Sequence, residues 1–231
     1  MKTIGLLGGM SWESSLEYYR ILNEAVRARL GGLHSAKCLL YSVDFGEIEP
    51  LQHQGLWDEA ARLMTLAAQN LERGGADVIV ICTNTMHKVA DEVQGSVGIP
   101  VLHIADATAR VVTAKGLHTV GLLGTRFTME ESFYRGRLSE KHGLRVLLPD
   151  RAERDTVHRV IYDELCMGVL LDSSRVRFLE ICQHLADAGA QGVILGCTEI
   201  SLLIRQQDTT IPLFDTTRIH AEQAVDWALE A

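Results

Sequence analysis

The feature that most constrains the fold of this chain is an internal duplication. The segment Thr3–Gly8 returns 116 residues later as Thr119–Gly124. Three further pairs follow in the same order, at offsets of 114, 114 and 112 residues: 71–76 with 185–190, 78–82 with 192–196, and 99–103 with 211–215. Because the offset is about half of the 231 residues, the repeating unit has the size of a domain, far longer than a solenoid repeat.

Each copy has the same pattern of apolar and helical segments. The apolar runs do not alternate with polar residues, which is typical of parallel strands covered on both faces. Helical patterns lie between them, at residues 17–30, 57–71 and 175–188. The sequence therefore predicts an α/β fold of two pseudo-symmetric domains, each a parallel sheet flanked by helices.

We expect the first domain to comprise residues 1–106 plus 213–231, and the second to comprise residues 107–212. The final helix, at residues 218–230, should then pack back on the first domain. Ligands of open parallel sheets bind beyond the carboxyl ends of the strands. The expected active site is therefore the cleft between the two domains.

Composition excludes several classes of function. The net charge is −8 and the basic residues are scattered, which argues against nucleic-acid binding. No apolar segment has the length of a membrane span, and the first residues lack a signal-peptide pattern, so we expect a cytoplasmic protein without a membrane partner. The five cysteines lack CxxC spacing and the histidines lack HxxxH pairs, so neither a disulfide framework nor a metal site is expected.

The residues after the third strand of each half carry the most chemical information. The first strand runs into Thr83, Asn84 and Thr85, and the second into Cys197 and Thr198. The offset of 114 residues makes Thr83 and Cys197 equivalent positions. A reaction at both faces of one carbon needs two oppositely placed proton-handling groups, and a duplicated fold supplies them. We predict that Thr83 and Cys197 form a catalytic pair.

These residues resemble the aspartate/glutamate racemase family, and within it the bacterial broad-specificity or L-selective amino-acid racemases. The resemblance rests on four segments: Gly196–Glu199, Asn84–Thr85, Gly8–Ser11 and His103–Asp106. It implies an isomerase that interconverts L- and D-amino acids by α-proton transfer between two thiols, with no pyridoxal phosphate, metal or other cofactor. It also implies a homodimer whose only other partner is a small amino-acid substrate.

The chain departs from that family at Thr83, where a cysteine is usual. Cys82 is adjacent, but neighbouring residues of an extended segment point to opposite faces, so we expect Cys82 to be a packed core thiol. A hydroxyl is a much weaker acid than a thiol, whose pKa is about 8.5. In the family the second-half cysteine acts on the L face, so the departure implies that Cys197 abstracts the proton and that L-substrates are preferred.

Several residues near the strand ends are candidates for substrate binding. The turn at residues 5–10 fails the GxGxxG spacing, so nucleotide binding is not expected, and its N–H groups could instead hold a carboxylate. Met10 and Thr125 would line the two sides of the site. Asn84, Thr85 and Thr198 could bind the α-carboxylate or ammonium, or cap helices.

The specificity for the amino-acid side chain is less constrained. Gln52 could hydrogen-bond a polar side chain. No Lys or Arg lies between Glu47 and Gln52, or between Ile161 and Gly168. This weakens a strict Asp/Glu assignment and favours a broader set of polar amino acids.

Other functions remain open. A decarboxylase of the arylmalonate type or an isomerase of the maleate type belongs to the same superfamily, and some such decarboxylases keep only the second-half cysteine. A non-catalytic protein that binds a small molecule in the same cleft is a third reading. Glu199 and His87 could tune the Cys197 thiol or could have purely structural roles.

Overall fold

A computed structural model of the protein describes residues 1–230 and divides them into two compact units. Unit 1 comprises residues 1–104 with the C-terminal residues from His220 onward, and unit 2 comprises Ala105–Ile219. No helix within residues 1–230 combines the length and the apolar character that crossing a membrane requires.

Unit 1 is built on a parallel four-stranded sheet. Its elements in chain order are β1 (Ile4–Gly8), α1 (Trp12–Leu30), β2 (Cys38–Ser42), α2 (Phe45–Gln54), α3 (Trp57–Arg73), β3 (Val78–Ile81), a 3₁₀ helix (Thr85–Val89), α4 (Ala90–Ser96) and β4 (Val101–Leu102). The strand order is β2-β1-β3-β4, and every pairing is parallel.

Unit 2 repeats this sheet. Its elements are α5 (Ile104–Ala114), β5 (Thr119–Gly124), α6 (Arg126–Glu130), α7 (Ser132–Gly136), a π-helical turn (Arg137–Lys141), β6 (Arg145–Leu147), α8 (Arg151–Asp163), a 3₁₀ helix (Leu165–Met167), α9 (Asp172–Asp187), β7 (Val193–Gly196), α10 (Ile200–Leu203), a 3₁₀ helix (Gln206–Asp208) and β8 (Leu213–Asp215). The order β6-β5-β7-β8 matches that of unit 1, and the pairings are again parallel. The predicted pair of helix-flanked parallel sheets is confirmed.

The chain returns to unit 1 later than the sequence predicted. We placed residues from 213 onward in the first domain, but β8 pairs with β7 and therefore belongs to the second sheet. This pairing repeats the one between β4 and β3 in unit 1. The last helix, α11 (Thr216–Leu229), starts in unit 2, and only its later residues belong to unit 1.

The sheet of unit 1 is covered on both faces, as its unbroken apolar strands predicted. On one face, Leu7, Ile79 and Ile81 pack in a buried cluster with residues of α2, α3 and α4. On the other face, Leu6 and Val80 pack with α1 and with alanines of α11. The Lys2 N–H also donates to the Ala228 carbonyl over 2.9 Å, so the C-terminal helix is anchored beside β1. The final helix therefore packs on the first sheet, as expected.

Candidate active site

Two glycines set the position of Cys197 in unit 2. Gly124 on β5 pairs with Gly196 on β7, immediately before the cysteine. A Cβ atom on Gly124 would lie 2.8 Å from the Gly196 carbonyl oxygen, and one on Gly196 would lie 2.8 Å from the Leu123 carbonyl oxygen. Both distances are too short for a side chain. Glycine at both positions therefore lets the strand ends approach closely and fixes where Cys197 leaves the sheet.

The Cys197 thiol contacts a buried carboxylate. Its Sγ donates to Glu199 Oε2 over 2.9 Å, and Thr198 Oγ1 donates to the same oxygen over 2.7 Å. Cys197 is 7% exposed and Glu199 is 3% exposed. A carboxylate removed from water needs strong hydrogen bonds, and here the two preceding side chains supply two of them.

Its surroundings keep the Cys197 thiol protonated at rest. Burial raises the pKa of Cys197 well above its ordinary value, because a thiolate is poorly solvated there. The negative charge of Glu199 raises this pKa further, as does that of Cys166, on the 3₁₀ helix Leu165–Met167, whenever the Cys166 thiol is ionised. The thiolate is the nucleophilic and basic form of cysteine, so Cys197 must lose its proton before it can act as a base.

Thr83 occupies the matching strand end in unit 1. Cys82 packs in the buried cluster with Val80 and Tyr18, and burial raises the pKa of its thiol well above the ordinary value. Its predicted role as a core thiol is confirmed. The Cys82 carbonyl accepts a hydrogen bond from Ser14 Oγ over 2.9 Å, which ties α1 to this strand end. Thr83 follows directly and is 8% exposed.

His87 holds the backbone at Thr83. Its Nδ1 lies 2.7 Å from the Thr83 carbonyl oxygen, and its Nε2 lies 3.2 Å from the Ile104 N–H. A carbonyl only accepts and a backbone N–H only donates, so Nδ1 carries the proton and Nε2 accepts. His87 is therefore a neutral histidine that fixes the turn. These two backbone contacts give His87 a structural role, one of the two left open by the sequence.

In unit 2, the fourth residue after Cys197 has a role similar to that of His87 after Thr83. Ser201, at the offset of 114 residues from His87, donates from Oγ to the Thr198 carbonyl over 3.0 Å. Ser201 also hydrogen-bonds Asp215 at the end of β8, and burial raises the pKa of that aspartate. In unit 1 the His87 ring packs against His103, with ring centroids 4.6 Å apart, at the end of β4. Each turn is thus held by a contact with the end of the fourth strand.

The predicted binding residue Gln52 lies on α2 and contacts the turn that follows β3. Gln52 is 3% exposed, and its Nε2 lies 3.0 Å from the Met86 Sδ. Met86 follows Asn84 and Thr85 directly, so α2 brings this amide to the turn after β3. Met10 packs in the same buried cluster as Met86.

The sequence suggested that backbone N–H groups of the turn after β1 could hold a carboxylate, but one of them is used inside the protein. The Gly9 N–H donates to Ser15 Oγ over 2.7 Å and is used within unit 1. Gly9 has φ of +96°, and a Cβ atom there would lie 2.1 Å from the Val43 carbonyl oxygen, so the turn requires glycine. In unit 2, Thr125 caps α6, since its Oγ1 accepts from the Thr128 N–H over 3.3 Å. Thr125 is therefore a helix cap, a role that the sequence suggested only for Asn84, Thr85 and Thr198.

The sequence named Glu199 only as a residue that could tune the Cys197 thiol or have a structural role, and the structure places its carboxylate in contact with that thiol. The signal was its position two residues after Cys197, which the sequence could not distinguish from a helix cap. Within residues 1–230, no group of three or more His, Cys, Asp or Glu side chains is arranged to hold a metal ion. The strand end of unit 2 carries a thiol, a hydroxyl and a carboxylate, and that of unit 1 carries hydroxyl and amide groups. Thiols and carboxylates are groups that commonly transfer protons in enzymes.

Comparisons with known proteins agree with this geometry. The family model for Asp/Glu/hydantoin racemases matches residues 7–224, which include both strand ends. The chain is 24% identical over 229 residues to the broad-specificity amino-acid racemase RacX of Bacillus subtilis, and the match covers 96% of each protein. It is 56% identical to a candidate Asp/Glu racemase from Yersinia pestis, with a TM-score of 0.93 and full coverage of both chains. An aspartate racemase homologue from Pyrococcus horikoshii is 36% identical, with a TM-score of 0.86 and full coverage of both chains.

Proposed function

Because this chain belongs to the Asp/Glu/hydantoin racemase family, we propose that it racemises amino acids by moving the α-proton between Cys197 and the Thr83 side of the reacting carbon. The observation that carries the proposal is the equivalent placement of these two residues. Each follows the third strand of its own sheet, and the two sheets have the same strand order. The reaction uses thiol and hydroxyl groups and needs no pyridoxal phosphate or metal.

The two positions are unequal in chemistry, so the enzyme favours L-amino acids. The Cys197 thiolate removes the α-proton of the L-enantiomer, and the Thr83 side returns a proton to the opposite face. A threonine hydroxyl is too weak an acid to ionise near neutral pH, so abstraction from the D-enantiomer is slow. Because the equilibrium constant is fixed by the substrates, this asymmetry appears in kcat and KM for the two directions.

The substrate set is proposed to be polar amino acids, including aspartate and glutamate. Gln52, Asn84, Thr85, Thr125 and Thr198 supply uncharged hydrogen-bonding groups near the two strand ends, and Met10 lines the first. Their neutrality suits a range of polar side chains better than a dedicated carboxylate pocket. The broad specificity in the name of the Bacillus relative supports the same conclusion.

We also propose that the enzyme is a cytoplasmic homodimer. The cytoplasm keeps thiols reduced, which the Cys197 chemistry requires. Trp12, Leu16 and Tyr19 recur at helical spacing on α1 and are 64%, 55% and 51% exposed, so they form an apolar stripe suited to a second copy. Light scattering coupled to gel filtration tests this, and a monomer at micromolar concentration would contradict it.

Proton NMR in D₂O tests the proposed activity. A panel of L- and D-amino acids is incubated with the wild-type enzyme and with Cys197→Ala, and loss of the α-proton signal is followed. We expect exchange with L-aspartate, L-glutamate or other polar L-amino acids in the wild type and none in the variant. No exchange with any amino acid would exclude the racemase, and release of CO₂ from an arylmalonate would indicate the decarboxylase instead.

A further inference from the structure

Three histidines of unit 1 form a buried cluster beside the strand end that carries Thr83. His87, His103 and His220 are 3%, 8% and 0% exposed. The His87 ring contacts both of the others, with ring centroids 4.6 Å from His103 and 5.6 Å from His220. We propose that His220, on α11, acts through His87 as a positioning residue for Thr83 in the racemase reaction. The inference rests on the proposed racemase function.

His87 is the direct link to Thr83. Its Nδ1–H donates to the Thr83 carbonyl over 2.7 Å, and its Nε2 accepts from the Ile104 N–H over 3.2 Å. Both ring nitrogens are therefore used by backbone groups on two different segments. A rotation of the ring or a change of tautomer would break its contact with the turn after β3.

His220 is itself held by two hydrogen bonds. Its Nε2 lies 2.9 Å from the Leu102 carbonyl oxygen, which only accepts, so Nε2 carries the proton. Its Nδ1 then accepts from the buried Tyr18 hydroxyl over 2.9 Å. Tyr18 lies on α1 and Leu102 ends β4. The helices α1 and α11 and the strand β4 thus fix the ring that contacts His87.

The chemistry of the cluster favours placement over simple packing. A buried polar ring costs free energy unless its nitrogens are hydrogen-bonded, and an aliphatic side chain would avoid that cost. The four ring nitrogens of His87 and His220 all have hydrogen bonds. Such bonds are directional, and a satisfied polar network rigidifies one arrangement of the core. The cluster can therefore hold the Thr83 backbone more precisely than apolar contacts would.

The proposed reaction explains why Thr83 needs this precision. The Cys197 thiolate takes the α-proton, so an S–H bond forms, the Cα–H bond breaks and its electron pair stays on the substrate. A new C–H bond then forms on the opposite face with a proton from the Thr83 side, and water restores the Thr83 hydroxyl. Since a hydroxyl is a weak acid, this step depends on where the hydroxyl is held. A misplacement of about 1 Å can cost about a hundredfold in rate.

The equivalent position in unit 2 is held differently. The Cys197 carbonyl accepts a hydrogen bond from the Ile200 backbone N–H over 3.1 Å. The Thr83 carbonyl instead accepts from the side chain of His87, which His220 contacts. The residue that carries the weaker acid is thus tied to a buried side-chain network, as a positioning role requires.

His220→Leu tests the proposal, because leucine keeps the apolar bulk and removes both hydrogen bonds. Racemisation of the L-amino acid that the wild type converts fastest is followed by chiral chromatography. We expect kcat to fall by about tenfold to a hundredfold, with a smaller change in KM. Alkylation of Cys197 by iodoacetamide, assigned by peptide mass spectrometry, should keep its wild-type rate. His220→Gln keeps an N–H for the Leu102 carbonyl and should retain part of the lost kcat.

His34→Leu is the matched control, since His34 is an exposed histidine of the same unit, and it should change neither rate. Far-UV circular dichroism and thermal unfolding give the folded fraction of each variant, to which its kcat is normalised. A merely structural role would lower the folded fraction and leave the normalised kcat unchanged. A fully folded His220→Leu enzyme with the wild-type kcat would therefore overturn the proposal.

A double-mutant cycle tests whether His220 acts through His87. His87→Leu should lose at least as much kcat as His220→Leu, and the double variant should be no slower than His87→Leu alone. Losses that multiply in the double variant would refute the link between the two rings. His87→Asn keeps a donor for the Thr83 carbonyl and should be faster than His87→Leu.

The same measurements separate this proposal from the racemase function. If the wild type racemises no amino acid, the function fails and the role of the histidines fails with it. If the wild type racemises and the folded His220→Leu variant is equally fast, the function stands and only the positioning role fails.

Discussion

Cys197 Sγ lies 2.9 Å from Glu199 Oε2, and the oxygen that receives this hydrogen bond also accepts one from Thr198. A thiol beside a carboxylate in a buried site stays protonated, because both burial and the like charge oppose the thiolate. Cys197 is therefore protonated at rest, and its contact with Glu199 helps to keep it so. The equivalent positions in unit 1 are Thr83 and Thr85, so this thiol–carboxylate contact has no counterpart there.

The pH dependence of alkylation should follow the raised pKa of Cys197. Because this pKa is raised above the ordinary value of about 8.5, the thiolate fraction at pH 7 is small and grows about tenfold per pH unit. Alkylation of Cys197 by iodoacetamide, assigned by peptide mass spectrometry, should therefore rise steeply from pH 7 to 9. Exchange of the substrate α-proton should rise over the same range, because the proposed base is the same thiolate. Alkylation that is already fast at pH 7 and changes little up to pH 9 would contradict a raised pKa.

Thr83→Cys should increase α-proton exchange with D-amino acids, because it places an acidic group at the first strand end. The gain should be about tenfold or more, by the usual scale of acid–base assistance. The measurement is NMR exchange with D- and L-substrates in D₂O. No gain with D-substrates would show that the asymmetry has another cause.

The fold could be predicted from the sequence because its signals are local and repeated. The unbroken apolar runs at β1, β3, β5 and β7 and the glycines that end the helices fix the elements, and the duplication fixes their common order. The boundary near residue 213 was harder to place, because β8 is only three residues long and only its pairing with β7 assigns it to a sheet.

The candidate site was less predictable than the fold. The internal repeat identifies Thr83 and Cys197 as equivalent positions. The candidate binding residues Asn84, Thr85 and Thr198 follow them directly in the sequence. The contact between Glu199 and Cys197 depends on how the backbone turns after β7, and the contact between Gln52 and Met86 depends on how α2 packs. His87 is held through the Ile104 N–H, seventeen residues away, which no local pattern indicates.

Gly196→Ala should destabilise unit 2 and impair Cys197. The added Cβ atom would lie 2.8 Å from the Leu123 carbonyl oxygen, so β5 and β7 must separate at the end that carries Cys197. We expect a loss of about 1–3 kcal/mol in the free energy of unfolding, as for overpacked sites, with a fall in α-proton exchange. Urea unfolding measures the first effect. Gly95→Ala in α4, where an added Cβ meets nothing within 4 Å, is the matched control and should be neutral or stabilising.

Asp106→Asn should weaken unit 2 and change how its stability responds to acid. Burial alone would raise the pKa of Asp106, but hydrogen bonds from Arg137, Lys141 and His142 outweigh it and lower this pKa below the usual range. The two Arg137 contacts measure 2.7 and 2.8 Å, and those from Lys141 and His142 measure 2.7 and 2.8 Å. Since the site is only partly buried, we expect a loss of about 1–3 kcal/mol at pH 7.

The direction in which pH changes this stability follows from the linkage between protonation of Asp106 and folding. A carboxyl with a lowered pKa in the folded state stabilises the protein above its unfolded pKa of about 3.9, and this stabilisation is lost as the pH falls through the folded value. The free energy of unfolding of the wild type should therefore approach that of Asp106→Asn as the pH is lowered below about 4. Urea unfolding of both proteins between pH 7 and 3 measures the difference. A difference in unfolding free energy that stays constant down to pH 3 would mean that the ion pairs at Asp106 do not stabilise the fold.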